Sequence, residues 1–152
     1  MRRRLVGAVT LVLVGCVSSK PRALKPSVEE VFAAPPAVVF QAALKAVSDQ
    51  GLPLREAEPN SRVIQTNYVD MASYDPGGSS MYPTNERMVR FRILVAHDQN
   101  GQGSMVAIFG LYTPYTTGFS TSERNEREIP RDHPGMTVIR KIRDDIAKAV
   151  GP

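Results

Sequence analysis

The sequence is poor in the residue types that build disulfides and metal sites. It contains one cysteine, Cys16, two histidines and no tryptophan among 152 residues. A single cysteine cannot form an intramolecular disulfide or a multi-cysteine zinc site. The two histidines, His97 and His133, have no spacing typical of a ligand motif. We therefore predict no metal and no cofactor.

Signatures of common catalytic and nucleotide-binding sites are also missing. The sequence contains no GxSxG, Walker, GxGxxG or HExxH motif. This absence predicts a non-enzymatic protein with no catalytic residues. Paired carboxylates stay open as an alternative, because their separation depends on the tertiary structure.

A strong excess of positive charge is missing from the part of the chain that would fold. The formal net charge of +4 includes three arginines within the first four residues. Without residues 1–15, 16 basic residues remain against 15 acidic ones, a net charge of +1. Nucleic-acid binders carry a basic patch or stripe, so a nucleic-acid partner is not predicted.

The first fifteen residues have the pattern of a signal peptide. Three arginines precede the short apolar run LVGAVTLVLVG, which ends at Gly15. A bilayer-spanning helix needs roughly 20 apolar residues, so this run is too short for one. A basic start, a short apolar stretch and a final small residue are typical of a secretory signal.

The residues Leu13-Val14-Gly15-Cys16 resemble the lipobox of bacterial lipoproteins. The resemblance implies cleavage between Gly15 and Cys16 and attachment of a diacylglyceryl group, which carries fatty acids such as palmitate, to the Cys16 thiol. Two acyl chains hold a protein stably on a membrane. By the same resemblance, Val17 after the cysteine favours the outer membrane. The predicted location is the periplasmic face of that membrane, with residues 16–27 as lipidated cysteine and flexible tether.

Residues 28–152 are predicted to form a single α+β domain. Val39, Phe40, Ala43, Leu44 and Val47 share one helical face. A second helix starts near Asp132-His133-Pro134. We expect one antiparallel sheet of about four to five strands, two helices packed on one face, and the order β-α-β-β-β-β-α.

Alternation indicates which strand faces are buried. Val89, Phe91, Ile93 and Val95 alternate with Arg90, Arg92 and Leu94, which predicts one core face and one largely solvated face. The segment from Arg62 to Asp70 is predicted as one strand. On it, Ile64, Thr66 and Tyr68 are expected to share a face.

Aromatic residues gather in or beside two predicted long loops, residues 71–86 and 113–131. Tyrosine is enriched in recognition surfaces, so this set predicts a partner-binding patch. Its alternative role is to pack the loops onto the sheet. The mixed-charge run from Glu123 to Arg131 is predicted as a solvated segment, and its alternative role is a docking surface for a partner. The candidate partner-binding residues are Tyr74, Tyr82, Tyr112, Tyr115 and Phe119.

The stretch from Val31 to Asp70 resembles the repeated domain of BamC lipoproteins, accessory members of the outer-membrane β-barrel assembly machinery. A strand, a proline-started helix, a glycine and two further strands follow in that order. Those proteins usually carry two such domains, and this chain has room for one. The resemblance implies a protein-binding envelope lipoprotein without enzymatic activity.

Three functions therefore stay open at this point. The first is an accessory or binding lipoprotein of an outer-membrane assembly or transport complex. The second is a lipid-anchored hydrolase or small-ligand binder of the periplasm, using His97, His133 and the acidic residues between Glu123 and Glu128. The third is a structural lipoprotein.

Overall fold

The structure is a computed structural model that describes residues 23–74, 77, 80–114 and 125–151. Within these residues it has seven strands, three α-helices and one 3-10 turn at Met71–Ser73. The strands are β1 Val28–Phe32, β2 Leu54–Glu58, β3 Val63–Thr66, β4 Val69–Asp70, β5 Met88–His97, β6 Ser104–Tyr112 and β7 Arg127–Glu128. The helices are α1 Pro36–Asp49, α2 Thr84–Arg87 and α3 Gly135–Val150.

All strand pairs are antiparallel and belong to one sheet with the order β1-β6-β5-β3-β2. The α+β class and the single antiparallel sheet are confirmed. The predicted count of four to five strands is wrong for the described residues, which form seven. The two additional strands, β4 on β5 and β7 on β6, have two residues each. The strand predicted from Arg62 to Asp70 is divided into β3 and β4, and β7 is too short to show alternation.

Both long helices pack on one face of the sheet. Val39, Phe40, Ala43 and Val47 of α1 lie in the main core together with Ile139 of α3. Pro36 sits in the first turn of α1, where its missing N–H is no loss. Gly51 follows the helix with a positive φ of 67°, which favours glycine. Among the described ranges, no helix is long and apolar enough to cross a membrane.

A bulge between β3 and β4 overturns the prediction that Tyr68 shares a face with Ile64 and Thr66. Gln65 pairs with Arg92, and Val69 pairs with Val89. Three residues therefore lie opposite two on β5. The Thr66 hydroxyl accepts from the Phe91 N–H at 2.9 Å, so a side chain provides the hydrogen-bond acceptor for this N–H at the bulge. One extra residue turns the following side chain to the other face of the sheet.

The face opposite the helices, called here the outer face, is not the largely solvated surface that the alternation predicts. The Arg90 side chain is 0% exposed, and Ala107, Phe109 and Leu111 form a second apolar cluster. Leu24 packs against this cluster from the N-terminal segment. Alternation shows which residues face each side but not what covers them, so burial on this face could not be predicted.

Candidate functional site

The two long connections lie at the same end of the sheet. One leads into β5 at Met88, and the other leaves β6 after Tyr112. Val89 pairs with Tyr112, so the beginning of β5 and the end of β6 are neighbours. We call this end the loop end, and we call the opposite end, with residues 98–103, the hairpin end. Loops on a rigid scaffold are where binding residues concentrate, so the loop end is the candidate site.

A polar cluster lies on the outer face at the loop end and consists of the buried Arg90, Glu126 and Thr113 and the half-buried Tyr68. Arg90 Nη2 donates to Glu126 Oε2 at 2.7 Å, and its Nε also contacts the Glu126 carboxylate. The two side chains are 0% and 2% exposed. The Tyr68 hydroxyl donates to Glu126 Oε1 at 2.5 Å and lies 3.1 Å from Thr113 Oγ1.

The bulge after β3 is what brings Tyr68 into this cluster. Its ring lies under the Arg90 guanidinium, whose carbon is 5.7 Å from the ring centroid. Burial raises the pKa of Tyr68 to about 12, and the hydrogen bond to Glu126 adds to the effect. The hydroxyl therefore stays protonated at neutral pH and remains a donor. The cluster holds charge in place and offers no exposed nucleophile.

The buried cluster fixes both ends of the segment between β6 and β7. Thr113 immediately follows β6, and Glu126 immediately precedes β7. Removing a carboxylate from water costs several kcal/mol unless a partner compensates it. The ion pair with Arg90 therefore fixes the position of Glu126. The segment 113–126 is thus tied down at both of its ends.

The connection between β4 and β5 is attached to the rest of the domain through Asn85, Arg87 and Glu86. Asn85 donates to the Pro114 carbonyl at 2.6 Å, which joins the two connections. The Arg87 guanidinium pairs with both oxygens of Asp70, at 3.2 and 3.3 Å. Asp70 also accepts from the Ala72 N–H and so caps the 3-10 turn. These bonds give the loop end a fixed base.

His133 provides the third attachment and is a structural residue. It is 2% exposed, its Nδ1 accepts from the Gly135 N–H, and its Nε2 contacts the Glu86 carbonyl at 3.0 Å. A backbone donor at one nitrogen and a backbone acceptor at the other fit the neutral ring with the proton on Nε2. The Tyr82 ring packs on it with centroids 4.5 Å apart.

The fold is expected to lose stability in mild acid through His133. Burial lowers the pKa of His133 below its ordinary value of 6.5, although the Glu86 carbonyl opposes the shift. His133 therefore takes up a proton near pH 6.5 in the unfolded chain, whereas in the folded chain it stays neutral to a lower pH. The contribution of the neutral His133 side chain to the free energy of unfolding should therefore be fully present above pH 6.5. It should decrease as the pH falls below that value.

Urea denaturation at several pH values between 7.5 and 5 checks this prediction. The variant His133→Asn should flatten the decrease. His97→Asn is the matched control, because His97 lies exposed at the hairpin end of β5. An equal pH dependence in all three proteins would contradict the role given to His133.

The predicted partner-binding aromatics do not all have the same surroundings. Tyr112 packs against the main core, and Tyr82 is half-buried against His133. Tyr74 is 38% exposed, and its hydroxyl lies 3.3 Å from the Gly51 carbonyl. Tyr115 and Phe119 lie outside the described residues. Of the three candidate aromatics that lie within the described residues, Tyr74 therefore presents the most open ring.

Sequence reasoning missed the most exposed apolar side chain of this end. Met81 is 85% exposed and directly precedes Tyr82. Methionine is an unbranched, adaptable side chain that suits binding surfaces. A methionine surrounded by turn residues has no periodic pattern to set it apart, so only its exposure identifies it.

The histidines proposed for a hydrolase lie at opposite ends of β5. His97 is its last residue, whereas His133 contacts Glu86 just before its first. A ten-residue strand is about 30 Å long, so the two rings cannot act on one bond. Glu126 is bound to Arg90, Glu128 accepts from the Lys25 N–H, and Glu123 lies outside the described residues. The described part of the chain contains no group of three metal-ligating side chains.

A surface groove of about 430 Å³ lies along the contact between α1 and α3. Small alanines line its floor, and its charged residues largely neutralise one another. Lys45 pairs with Asp49, and Asp145 pairs with Lys148 and accepts from Gln50. Exposed pairs of this kind contribute little energy, and they present no acid-base arrangement.

The N-terminal segment leaves the domain toward the loop end. Followed backward from β1, Ser27 bonds to the Ile108 carbonyl, and the Lys25 N–H donates to Glu128 at 2.7 Å. Glu128 pairs with Leu111 near the end of β6. The chain thus runs along β6 toward its C-terminal end. Cys16, Gly15 and the rest of the predicted signal peptide lie outside the described residues.

No protein-family model matches the chain, and no curated protein is significantly similar to it.

Proposed function

We propose that the protein is a lipid-anchored accessory protein of the bacterial envelope that binds a protein partner through its loop end. Cys16 would carry the acyl chains, and residues 17–27 would connect it to the domain. Met81 and Tyr74 would provide the exposed apolar contacts of the surface. The protein would take part in outer-membrane assembly or transport as a binding subunit without catalytic activity.

The single observation that carries this proposal is the buried attachment of two long connections at one end of the sheet. A buried ion pair, a buried histidine and an interloop hydrogen bond fix their bases. Preorganised loops bind more tightly, because little conformational freedom is lost on association. A surface made of fixed bases and exposed side chains suits protein recognition.

The path of the N-terminal segment supports a location of this surface near the membrane. The chain leaves the domain toward the loop end, and residues 16–24 could reach at most about 30 Å when extended. A partner at the loop end would therefore itself be in the membrane or close to it. An integral outer-membrane protein would meet this requirement.

Substitution of the exposed apolar residues tests the proposal. Met81→Asp and Tyr74→Asp, alone and together, should reduce the amount of partner recovered with the tagged protein from its own membranes in mild detergent. Truncation of an interface hot spot costs about 2 kcal/mol or more, which is a loss of roughly thirtyfold in affinity. Quantitative mass spectrometry of the purified complex measures the loss.

Val38→Asp is the matched control, because Val38 is 51% exposed on α1 and away from the loop end. It should leave recovery unchanged. Equal recovery with all variants, or a stoichiometric partner lost only with Val38→Asp, would contradict a binding surface at the loop end. Thermal unfolding of each variant separates lost binding from lost folding.

A further inference from the structure

We propose that protonation of His133 releases the connection between β4 and β5 from the start of α3, so that the loop end loses its binding surface in mild acid. This inference rests on the proposed binding function and adds its regulation by pH. Its basis is the set of hydrogen bonds around one buried imidazole that joins two elements. Met81, at 85% the more exposed of the two proposed contact residues, lies on the connection that would be released.

Both ring nitrogens of His133 are bound to the backbone. Nε2 lies 3.0 Å from the Glu86 carbonyl of the connection, and Nδ1 accepts from the Gly135 N–H at 3.0 Å. Only the neutral ring can supply a donor and an acceptor together, because the imidazolium has a proton on each nitrogen. Protonation of Nδ1 would therefore place two donors, Nδ1–H and the Gly135 N–H, against each other.

The packing around the ring leaves no room for it to turn within its site. The His133 side chain belongs to a residue that is 2% exposed, and the Tyr82 ring lies against it with centroids 4.5 Å apart. A β-carbon on Gly135 would lie 3.1 Å from Nδ1 and 3.6 Å from the Met71 sulfur, so the backbone there is also close. Packed interiors switch between discrete arrangements and do not deform continuously. The charged ring must therefore leave its site, which breaks the bond to Glu86 and the contact with Tyr82.

The groups around His133 determine how it titrates. Burial lowers its pKa below the ordinary value of 6.5, and the Glu86 carbonyl and the negative charges of Asp132 and Glu86 oppose this shift. Tyr82 is the other titratable group at the ring, and burial and the Asp132 carboxylate raise the pKa of its hydroxyl. The Tyr82 hydroxyl therefore stays neutral in mild acid. A released imidazole regains its ordinary pKa and takes up a proton in water, so acid favours the released form.

The remaining attachments of the connection are weaker than the one through His133. The ion pair between Arg87 and Asp70 is partly exposed, and such pairs contribute little. Asn85 adds one hydrogen bond to the Pro114 carbonyl. The helix α2 has only four residues, and a single helical turn is not stable without tertiary contacts. We therefore expect residues 81–86 to open as a local unit while the sheet stays folded.

The ordinary pKa of 6.5 sets the size of the effect. Each pH unit below that value favours the open form by a further tenfold or so, as long as the packed ring stays neutral. The ratio of open to closed molecules should therefore rise about thirtyfold between pH 7.5 and pH 5. Above pH 7 the ratio should not change, because neither form takes up the proton.

Hydrogen exchange of the full chain in detergent micelles, followed by NMR, measures this ratio. The N–H groups of Glu86 and Arg87 both donate to the Pro83 carbonyl and report the opening of α2. Their protection factors should fall about thirtyfold between pH 7.5 and pH 5. Low concentrations of urea should not change the decrease, because local opening exposes little surface. The Gly101 N–H, bonded to the Asp98 carbonyl at the hairpin end, is the control and should lose less than about twofold.

Two variants of His133 separate titration from packing. His133→Gln keeps a donor that can reach the Glu86 carbonyl but cannot take up a proton, so the protection of Glu86 should be independent of pH. His133→Asn keeps an acceptor for the Gly135 N–H but is too short to reach Glu86, so protection should already be low at pH 7.5. Recovery of the partner should decrease from pH 7.5 to pH 5 with the wild-type chain and stay constant with His133→Gln.

Two results would overturn the inference. One is a decrease of less than about threefold in the protection of Glu86 and Arg87, because the packed site would then accommodate the charged ring. The other is a decrease that urea enhances and that includes the amides of β5 and β6, because acid would then unfold the whole domain. Unchanged exchange with a partner recovered at pH 7.5 would contradict only this inference. Absence of any partner at pH 7.5, together with the thirtyfold change, would support the release and contradict the proposed function.

Discussion

Glu126→Leu should lower the free energy of unfolding by about 3–5 kcal/mol, because it leaves the Arg90 guanidinium buried without that carboxylate. Arg90 is fully buried, and the Glu126 side chain is 2% exposed. Small domains are stable by about 5–15 kcal/mol, so the loss is a large share of the total. Urea denaturation followed by circular dichroism measures it.

A double variant separates the cost of an unpaired charge from the value of the pair. Arg90→Met together with Glu126→Leu removes both charges and keeps the volume apolar. Replacing a buried pair by apolar residues is often neutral or stabilising, so the double variant should recover most of the lost stability. A decrease of less than about 1 kcal/mol in Glu126→Leu would contradict the role of the pair as an anchor.

Cys16→Ala, exported behind a signal peptide that the general signal peptidase cleaves, should move the protein from the membrane to the soluble periplasmic fraction. Acyl chains contribute about 0.8 kcal/mol for each buried methylene, so two chains supply on the order of 20 kcal/mol of attachment. A washed membrane pellet, probed for the protein, measures the change. The foreign signal peptide is needed because the chain's own apolar run could otherwise hold an uncleaved precursor on the membrane.

Metabolic labelling with an alkyne analogue of palmitate is the matched control for this result. The wild-type chain should incorporate the label, and Cys16→Ala should not. Equal labelling of both proteins would place the acyl chain elsewhere. An alanine variant that stays in the washed pellet to the same extent as wild type would contradict the lipid anchor.

Much of the fold could be predicted because its core is periodic. Val89, Phe91, Ile93 and Val95, predicted to face the core, are all buried on β5. Of the five residues predicted to share one helical face, all but Leu44 are buried on α1. Hydrophobic burial dominates the free energy of folding, so residues that repeat with the period of their element report its position.

The candidate site could not be predicted to the same extent, because long-range pairing and register determine it. Arg90 and Glu126 are 36 positions apart, and nothing in the local sequence relates them. The mixed-charge run was expected to be solvated throughout, yet Glu126 is buried. A one-residue bulge moved Tyr68 to the other face of the sheet. Neither alternation nor charge counting contains that information.

The predicted aromatic patch illustrates a related limit. Composition placed tyrosines near the long loops but could not tell an exposed ring from a packed one. Tyr112 is part of the core and Tyr82 covers a buried histidine, whereas Met81 is the most exposed of the large apolar residues described at this end. Exposure follows from the neighbours of a side chain in space, and composition does not contain that information.

Site-specific photocrosslinking in intact membranes tests the central claim most directly. A photoreactive amino acid at Met81 should give a discrete crosslinked product with an envelope protein, identified by mass spectrometry. The same amino acid at Gln102, in the exposed turn of the hairpin end, should not give that product. A binding subunit that uses its loop end predicts this difference. The same product from both positions, or from Gln102 alone, would contradict it.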